Sequence, residues 1–489
     1  MNTPKLTVAA ILLVFLGSSF SSIDRTLFPV PSGLEDNVQF WRLIYTEIPL
    51  TNGVLHDRDH PLIIYDTVDI RDLWGNRLKA FLTQKRDEIS LLLENIRNKP
   101  ALSLSNRERR IKSLFMKHAP GKLKSAEKRI RFQLGQKERF LKGIERSGAF
   151  LDTIHSIFRE LEIPSMLAFL PHVESSFNYE AYSKVGAAGL WQFMPATGRQ
   201  YLRIDSQIDE RRDPILSTRA AGIHLKWAYE QLGSWPLALS AYNHGVAGIT
   251  RAMETAGSRD LGVIIENYES PSFQFASKNF YSCFIAACQI ALRPEAYFDS
   301  VSFEPRKSYF DLRLDYNLNI KQISTILNIS REEIIHLNPA IRPEVYELGL
   351  PIPAGYSLRF DKTRNPLQQV KLAALNAPDS LWKNSLPGSQ KHYVVARGET
   401  LSSIAVKTGL TVKMIRSLNG MKNSFIRTGD ILRISLMDGR SEEKQIDYSS
   451  ILRINETGGG GENAGTVLRP MLASRSQKEE RGFWEEIRE

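Results

Sequence analysis

Cysteine is almost missing from this chain: Cys283 and Cys288 are alone among 489 residues. Five positions apart on a helix, the two thiols point to different faces, so no disulfide framework is expected and packing must hold the fold. No cysteine follows the N-terminal apolar run, which excludes the usual site of lipid attachment. Long apolar runs are missing too. Residues 6–16 fall short of the about 20 apolar residues that a membrane-spanning helix needs, and no other segment reads as transmembrane. With Lys5 before that run and the small residues 17–22 after it, residues 1–22 read as a secretory signal. Export to a periplasm or cell envelope is therefore expected, and an uncleaved signal would keep the chain at the membrane.

Acidic side chains are outnumbered, with 54 Asp and Glu against 64 Lys and Arg, for a net charge of +10. Such an excess suits an anionic partner: nucleic acid, a membrane surface or an acidic wall polymer. Export sets nucleic acid aside and leaves peripheral membrane contact open. The basic cluster from Arg109 to Arg131 reads first as a solvated helical face. His56, Asp57, Asp59 and His60 have the density of a metal site, yet no helix sets their geometry and Pro61 follows at once. Neither a metal nor an organic cofactor is expected.

Strand alternation is scarce from residue 136 to 291. Phe150, Ile154, Ile157, Phe158 and Leu161 share one helical face, and so do Leu216, Ala220, Ile223 and Trp227. Pro164, Pro214 and Pro236 break one helix and begin the next. The fold class is mainly α, with 23–135 read as an accessory, largely helical region. The stretches 310–361 and 391–436 each run strand, helix, helix, strand, with a linker at 362–390 between them. Helices are expected at 320–327 and 331–337, and a strand at 356–360. The charged tail 437–489, with glycines at 458–461, cannot bury a core and is expected to be disordered.

One carboxylate stands out. In MLAFLPHVESSF, residues 166–177, Glu174 is the only acidic side chain among large apolar neighbours. Desolvation disfavours its charged form, so its pKa should rise toward neutrality, as a general acid near pH 7 requires. A glutamate that merely ends or pairs a helix would look the same in isolation. GAAGLWQFMPATGR at 186–199 and LALSAYNHG at 237–245 supply its context.

In order and spacing these three motifs resemble the lytic transglycosylases with a goose-lysozyme-like catalytic domain, in particular the membrane-bound type D branch with LysM repeats. The resemblance runs from about residue 136 to 291 and resumes in the C-terminal repeats. It implies a lysozyme-like catalytic domain over 136–300 acting on peptidoglycan glycan strands, with Glu174 as the single catalytic acid and base. By the same resemblance Ser175 and Ser176 lie beside it, although Ser176 could simply turn the helix. Gly186, Ala187, Ala188 and Gly189 match a small-residue loop that lets a sugar approach the backbone. Leu190, Trp191, Gln192 and Phe193 match the cleft wall, Gln192 as a substrate hydrogen-bonder and the two aromatics with core packing as an equal alternative. Tyr242 and Asn243 match cleft residues near the saccharide. His244 departs from the alanine usual there. Tyr281 is assigned as the hydroxyl that orients Glu174, with Phe280 as the competing alignment. Residues 209–214 read as a helix entry held by ion pairs.

Residues 392–420 followed by GDILRI resemble a LysM module. Gly398, Glu399, Thr400 and Leu401 then flank a groove for N-acetylglucosamine-containing chains, while Leu401, Ile404 and Ala405 form a buried helix face. The 310–361 stretch looks like a divergent copy that keeps Leu337-Asn338 but lacks the glycine-aspartate entry to its last strand. Two other readings compete. A lysozyme-like hydrolase would recruit Asp205, Asp209 or Asp213 as a second carboxylate, and a silent wall-binding scaffold would need no Glu174.

Overall fold

The computed structural model describes residues 23–434, apart from 315–316, 348, 367–368, 371–391, 397, 409, 420 and 422, together with 452–455. The expected signal at 1–22, most of the expected linker at 362–390 and most of the 437–489 tail lie outside these residues. Within them the chain is mostly helical.

The N-terminal part begins with α1 (Glu35–Thr46), whose Val38, Trp41, Ile44 and Tyr45 recur at helical spacing and are buried. Strands β1 (Asn52–Asp57) and β2 (Ile64–Asp69) form an antiparallel pair. α2 (Gly75–Asn98) and α3 (Asn106–His118) follow, the latter opened by a reciprocal Ser105–Glu108 capping box. β3 (Ile130–Leu134) then returns beside β1, giving a sheet ordered β2-β1-β3. The reading of 23–135 as largely helical is thus corrected on two points. Three strands stand among the helices, each too short for alternation to stand out. α1 also does not stay with α2 and α3, which close a small core on the sheet through Leu55, Tyr65, Leu93 and Phe115. Phe40, Trp41, Ile44 and Tyr45 join the main core instead.

That main core is built by α4 (Lys137–Ser147), α5 (Leu151–Glu160), α6 (Leu170–Glu174), α7 (Pro195–Gly198), α8 (Pro214–Leu232), α9 (Trp235–His244), α10 (Val246–Ala256), α11 (Leu261–Asn267) and α12 (Phe275–Ala291). α12 is apolar almost all round and buried accordingly, with both cysteines as free thiols. Asp213 caps α8 by accepting from the Ile215 and Leu216 amides, and Gly233 ends it with a left-handed φ of 71°. The apolar face of α5 is buried as its spacing predicts. The α8 face is rotated from the expected one: Leu216 is 38% exposed, while Ser217, Ala220, Ala221, Leu225 and Ala228 are buried. Small residues win here because they allow close approach, Gly222 lying against Phe158, Leu161 and Ile163.

Two modules follow. In the first, β4 (Tyr309–Leu314), α13 (Ile320–Leu327), α14 (Arg331–Leu337), α15 (Pro343–Glu347) and β5 (Ser357–Asp361) enclose their own core, with β4 and β5 antiparallel. In the second, β6 (His392–Val394), α16 (Leu401–Thr408), α17 (Val412–Leu418) and β7 (Ile431–Arg433) bury Leu401, Ile404, Ala405 and Ile415. β8 (Leu452–Asn455) pairs antiparallel with β4, from Asp311↔Asn455 to Leu314↔Leu452. This segment corrects the expectation of a tail without structure: a short alternating run suffices when an open sheet edge supplies the hydrogen bonds.

Candidate active site

Glu174 is the last residue of α6, a helix short enough to be dictated by what flanks it. Pro171 occupies the first turn, where its missing N–H costs nothing. Beyond Ser175 the chain reverses through two consecutive left-handed residues, Ser176 at φ 51° and Phe177 at φ 54°. Non-glycine residues pay about 1–2 kcal/mol each for that conformation, so the surroundings must impose it. The Pro171 carbonyl accepts from the Ser175 and Phe177 amides at 3.0 and 3.1 Å. Phe177 is wholly buried, and Gly143 of α4 packs directly on Ser176. The Ser175 hydroxyl donates to the Leu190 carbonyl at 2.8 Å, tying this turn to the 186–193 loop. Such a strained, overdetermined turn fixes where the Glu174 side chain leaves the helix.

Glu174 is 5% exposed, and burial pushes its pKa up to about 8. His172, two residues earlier, is stacked on Phe140 and Phe169 and held neutral by burial, its pKa driven down to about 3. No histidine charge there offsets the desolvation of Glu174.

Two phenols feel the Glu174 charge. Tyr242 donates its hydroxyl to the Trp191 carbonyl at 2.8 Å, and burial followed by the nearby carboxylate raises its pKa. Tyr45, from α1, is buried against Phe140 with ring centroids 4.5 Å apart and shares a hydrogen bond with the Cys283 thiol. Its pKa is raised by burial, by Cys283 and by Glu174. The motifs gave no sign of Tyr45, which lies 129 positions before Glu174 in a segment read as accessory. The available signal was the pairing of Trp41 and Tyr45 at helical spacing. Tyr281 is placed otherwise than expected: its hydroxyl donates to the Pro29 carbonyl at 2.7 Å, so it anchors the N-terminal segment, and Phe280 is core.

Ala187, Ala188, Leu190, Trp191 and Phe193 are all buried. Trp191 donates from its indole to the Thr218 hydroxyl at 2.9 Å. Gly189, at φ 79°, lies against the backbone of Arg211, where a β-carbon has no room. Gln192, itself at φ 49°, gives its amide to the Gly189 carbonyl at 2.8 Å, leaving Oε1 without a partner among the described residues. Asn243 accepts from the Ser277 hydroxyl at 2.9 Å. His244 rests over Gly248 and edge-on to Phe273, a packing role.

The remaining acidic candidates are committed. Asp205 accepts from the Gln207 and Ile208 amides and from Arg203. Asp209 is paired with Arg211 and Arg342, and Asp213 with Arg359. Asp57 accepts from Arg129, Tyr65 and two backbone amides, making 56–60 a structural turn. Among the described residues no three His, Cys, Asp or Glu side chains are grouped to hold a metal.

In the second module Glu399 accepts from the Tyr393 hydroxyl, the Ala396 amide and Lys407, and Leu401 is core. Thr400 caps α16 by accepting from the Ser403 amide. Gly398, with a φ of 85°, makes the turn before it.

Residues 159–264 match the family of the transglycosylase SLT domain, and 393–435 match the LysM domain. Membrane-bound lytic murein transglycosylase D of Escherichia coli strain K12 is 26% identical over 297 residues, 59% of this chain and 64% of that protein. The chain thus spans a little under two thirds of that relative's length. A putative tributyltin chloride resistance protein of Alteromonas sp. strain M-1 is 31% identical over 140 residues, 28% of this chain and 68% of that one. Among solved structures, the 70 kDa soluble lytic transglycosylase of Escherichia coli is similar at 22% identity with a TM-score of 0.26, covering 32% of this chain and 27% of that one.

Proposed function

Because the chain belongs to the transglycosylase SLT family, we propose that it is a peptidoglycan lytic transglycosylase. It cleaves the bond between N-acetylmuramic acid and N-acetylglucosamine and leaves a 1,6-anhydromuramoyl end. The observation that carries this reading is a lone carboxyl, Glu174, kept protonated at neutral pH by burial, while Asp205, Asp209 and Asp213 are spent on guanidinium and amide groups. A two-carboxylate hydrolase would need one of them free.

Glu174 donates its proton to the glycosidic oxygen as the bond to the anomeric carbon breaks, and the substrate's own 2-acetamido group stabilises the developing positive charge. The resulting carboxylate, costly in its apolar surroundings, then takes the proton of the muramoyl 6-hydroxyl. That oxygen attacks the anomeric carbon of the same sugar, with the advantage of an intramolecular nucleophile over water. Glu174 ends protonated, ready for the next bond, and the chemistry needs no cofactor. Ser175, by holding the turn to the loop, and Tyr45 and Tyr242, by their proximity to its charge, orient it.

Residues 136–300 form the catalytic body. The module at 391–436 holds the enzyme on N-acetylglucosamine-containing strands and raises their local concentration. Residues 1–22 direct export, placing the enzyme in the cell envelope. Digestion of purified sacculi with mass spectrometry of the fragments tests the reading. Anhydro ends are one water lighter than reducing ends, and fragments carrying only reducing ends would make the enzyme a hydrolase.

A further inference from the structure

The segment 203–213 lies between the loop beside Glu174 and the 309–361 module, and both are bonded to it through buried charges. On the catalytic side the Arg211 side chain is 1% exposed. It donates to the Gly186 carbonyl at 2.6 Å and to the Phe193 carbonyl at 2.9 Å, gripping both ends of the 186–193 loop. Its other nitrogens meet both Asp209 oxygens, at 2.8 and 2.7 Å. A guanidinium satisfied at four points has one allowed position, and the loop is fixed with it.

On the module side Arg342 completes the row. Its guanidinium reaches Asp209 Oδ2 at 3.3 Å and donates to the Asp205 carbonyl at 2.7 Å. The backbones interlock around it: the Asp209 amide donates to the Ala340 carbonyl, the Arg342 amide donates to the Gln207 carbonyl, and Ile208 is buried in the module's own core. The polar residues retained in this module face inward as well. The Asn338 amide group bonds the Ile334 and Arg359 carbonyls and the Arg359 amide.

We propose that the 309–361 module is a fixed wall of the catalytic body, whose Arg342 acts through Asp209 and Arg211 as a positioning residue for the 186–193 loop. This inference rests on the reading of Glu174 as the catalytic acid, because Ser175 and Tyr242 are both bonded to that loop. Without Arg342, Asp209 keeps one cation in place of two, and Arg211 loses the counterweight that centres it.

Hydrogen exchange on the full-length chain reads the loop directly and needs no substrate. In Arg342→Ala the amides of Ala188, Gly189 and Gln192, each bonded within or beside the loop, are expected to exchange about tenfold faster. α9 and α12 keep their protection. Turnover on sacculi falls about tenfold at an unchanged half-saturating substrate level, and Arg342→Lys recovers part of both effects. Arg219→Ala, which breaks an exposed pair with Glu160, leaves both at wild type. Unchanged loop exchange overturns the proposal. So does faster exchange throughout the body, or faster loop exchange at full turnover. A wild-type chain that cleaves no sacculi, with the loop still loosened in Arg342→Ala, would refute the catalytic reading and not the mechanical link.

Discussion

The α-carbon of Gly189 lies against the carbonyl oxygen of Arg211, so that a β-carbon at 189 would fall inside that oxygen. Gly189 also has a left-handed φ of 79°. Two independent costs therefore meet in Gly189→Ala, a steric one and a conformational one, for an expected loss of about 2–4 kcal/mol. The loop has little room to yield, because Trp191 and Phe193 within it are buried. Urea unfolding measures the loss, and turnover on sacculi should fall more than stability at temperatures where the variant stays folded. A variant as stable and active as wild type would show that the loop backbone is free to move.

Tyr45 and Tyr281 make opposite predictions. The Tyr281 hydroxyl serves the Pro29 carbonyl, so Tyr281→Phe is expected to cost about 1–2 kcal/mol of stability and to leave turnover near wild type. Tyr45 faces the Glu174 charge and Cys283, so Tyr45→Phe should slow turnover about tenfold with little change in half-saturation. Steady-state kinetics beside thermal unfolding separates them. The reverse pattern would return the orienting role to Tyr281.

These assignments mark where the sequence was readable. Glu174 was legible because an acidic residue in an apolar helix is a local contrast, and its raised pKa follows from that contrast alone. The helices at 320–327 and 331–337 agree with their spacing, since each is short, amphipathic and ended by a polar cap. The partners of Glu174 were not legible, because which hydroxyl reaches it depends on how α1 and α12 cross. Tyr281 has the same hydroxyl as Tyr45, but turns it to the Pro29 carbonyl. The loop at 186–193 was only partly legible for a related reason: small residues admit a ligand or a neighbouring backbone equally well, and the path of 209–213 lies far along the chain. Residues 209–214 were read correctly as an ion-paired helix entry, but Arg342 and Arg359, which complete the pairs, stand more than a hundred positions away.

β8 adds an edge to the first module through β4. Ending the chain at residue 436 removes that partner and exposes the β4 edge. Losing several backbone hydrogen bonds at about 1 kcal/mol each should lower the stability of the module measured by urea unfolding. Exchange at the β4 amides should rise while α8 and α9 are unaffected. Equal protection of β4 in both chains would mean that β8 contributes nothing to the sheet.

The pH behaviour follows from Glu174, with its sign set by a raised acid. Its ordinary value is 4.5 and the folded value about 8. Between these the unfolded chain has lost the proton and the folded chain keeps it, so folding stability falls as pH rises from about 4.5 and levels off above about 8. Glu174→Gln abolishes that slope. It should be more stable than wild type by a margin that is absent at low pH and grows to a few kcal/mol at pH 8. The same proton is the catalytic one, so kcat/KM should decline about tenfold per unit above pH 8, while Glu174→Gln loses on the order of a thousandfold or more at every pH. A glutamine variant that gains no stability between pH 5 and 8 would mean that the carboxyl is solvated in the folded chain, and a wild-type alkaline limb well below pH 8 would say the same from the kinetics.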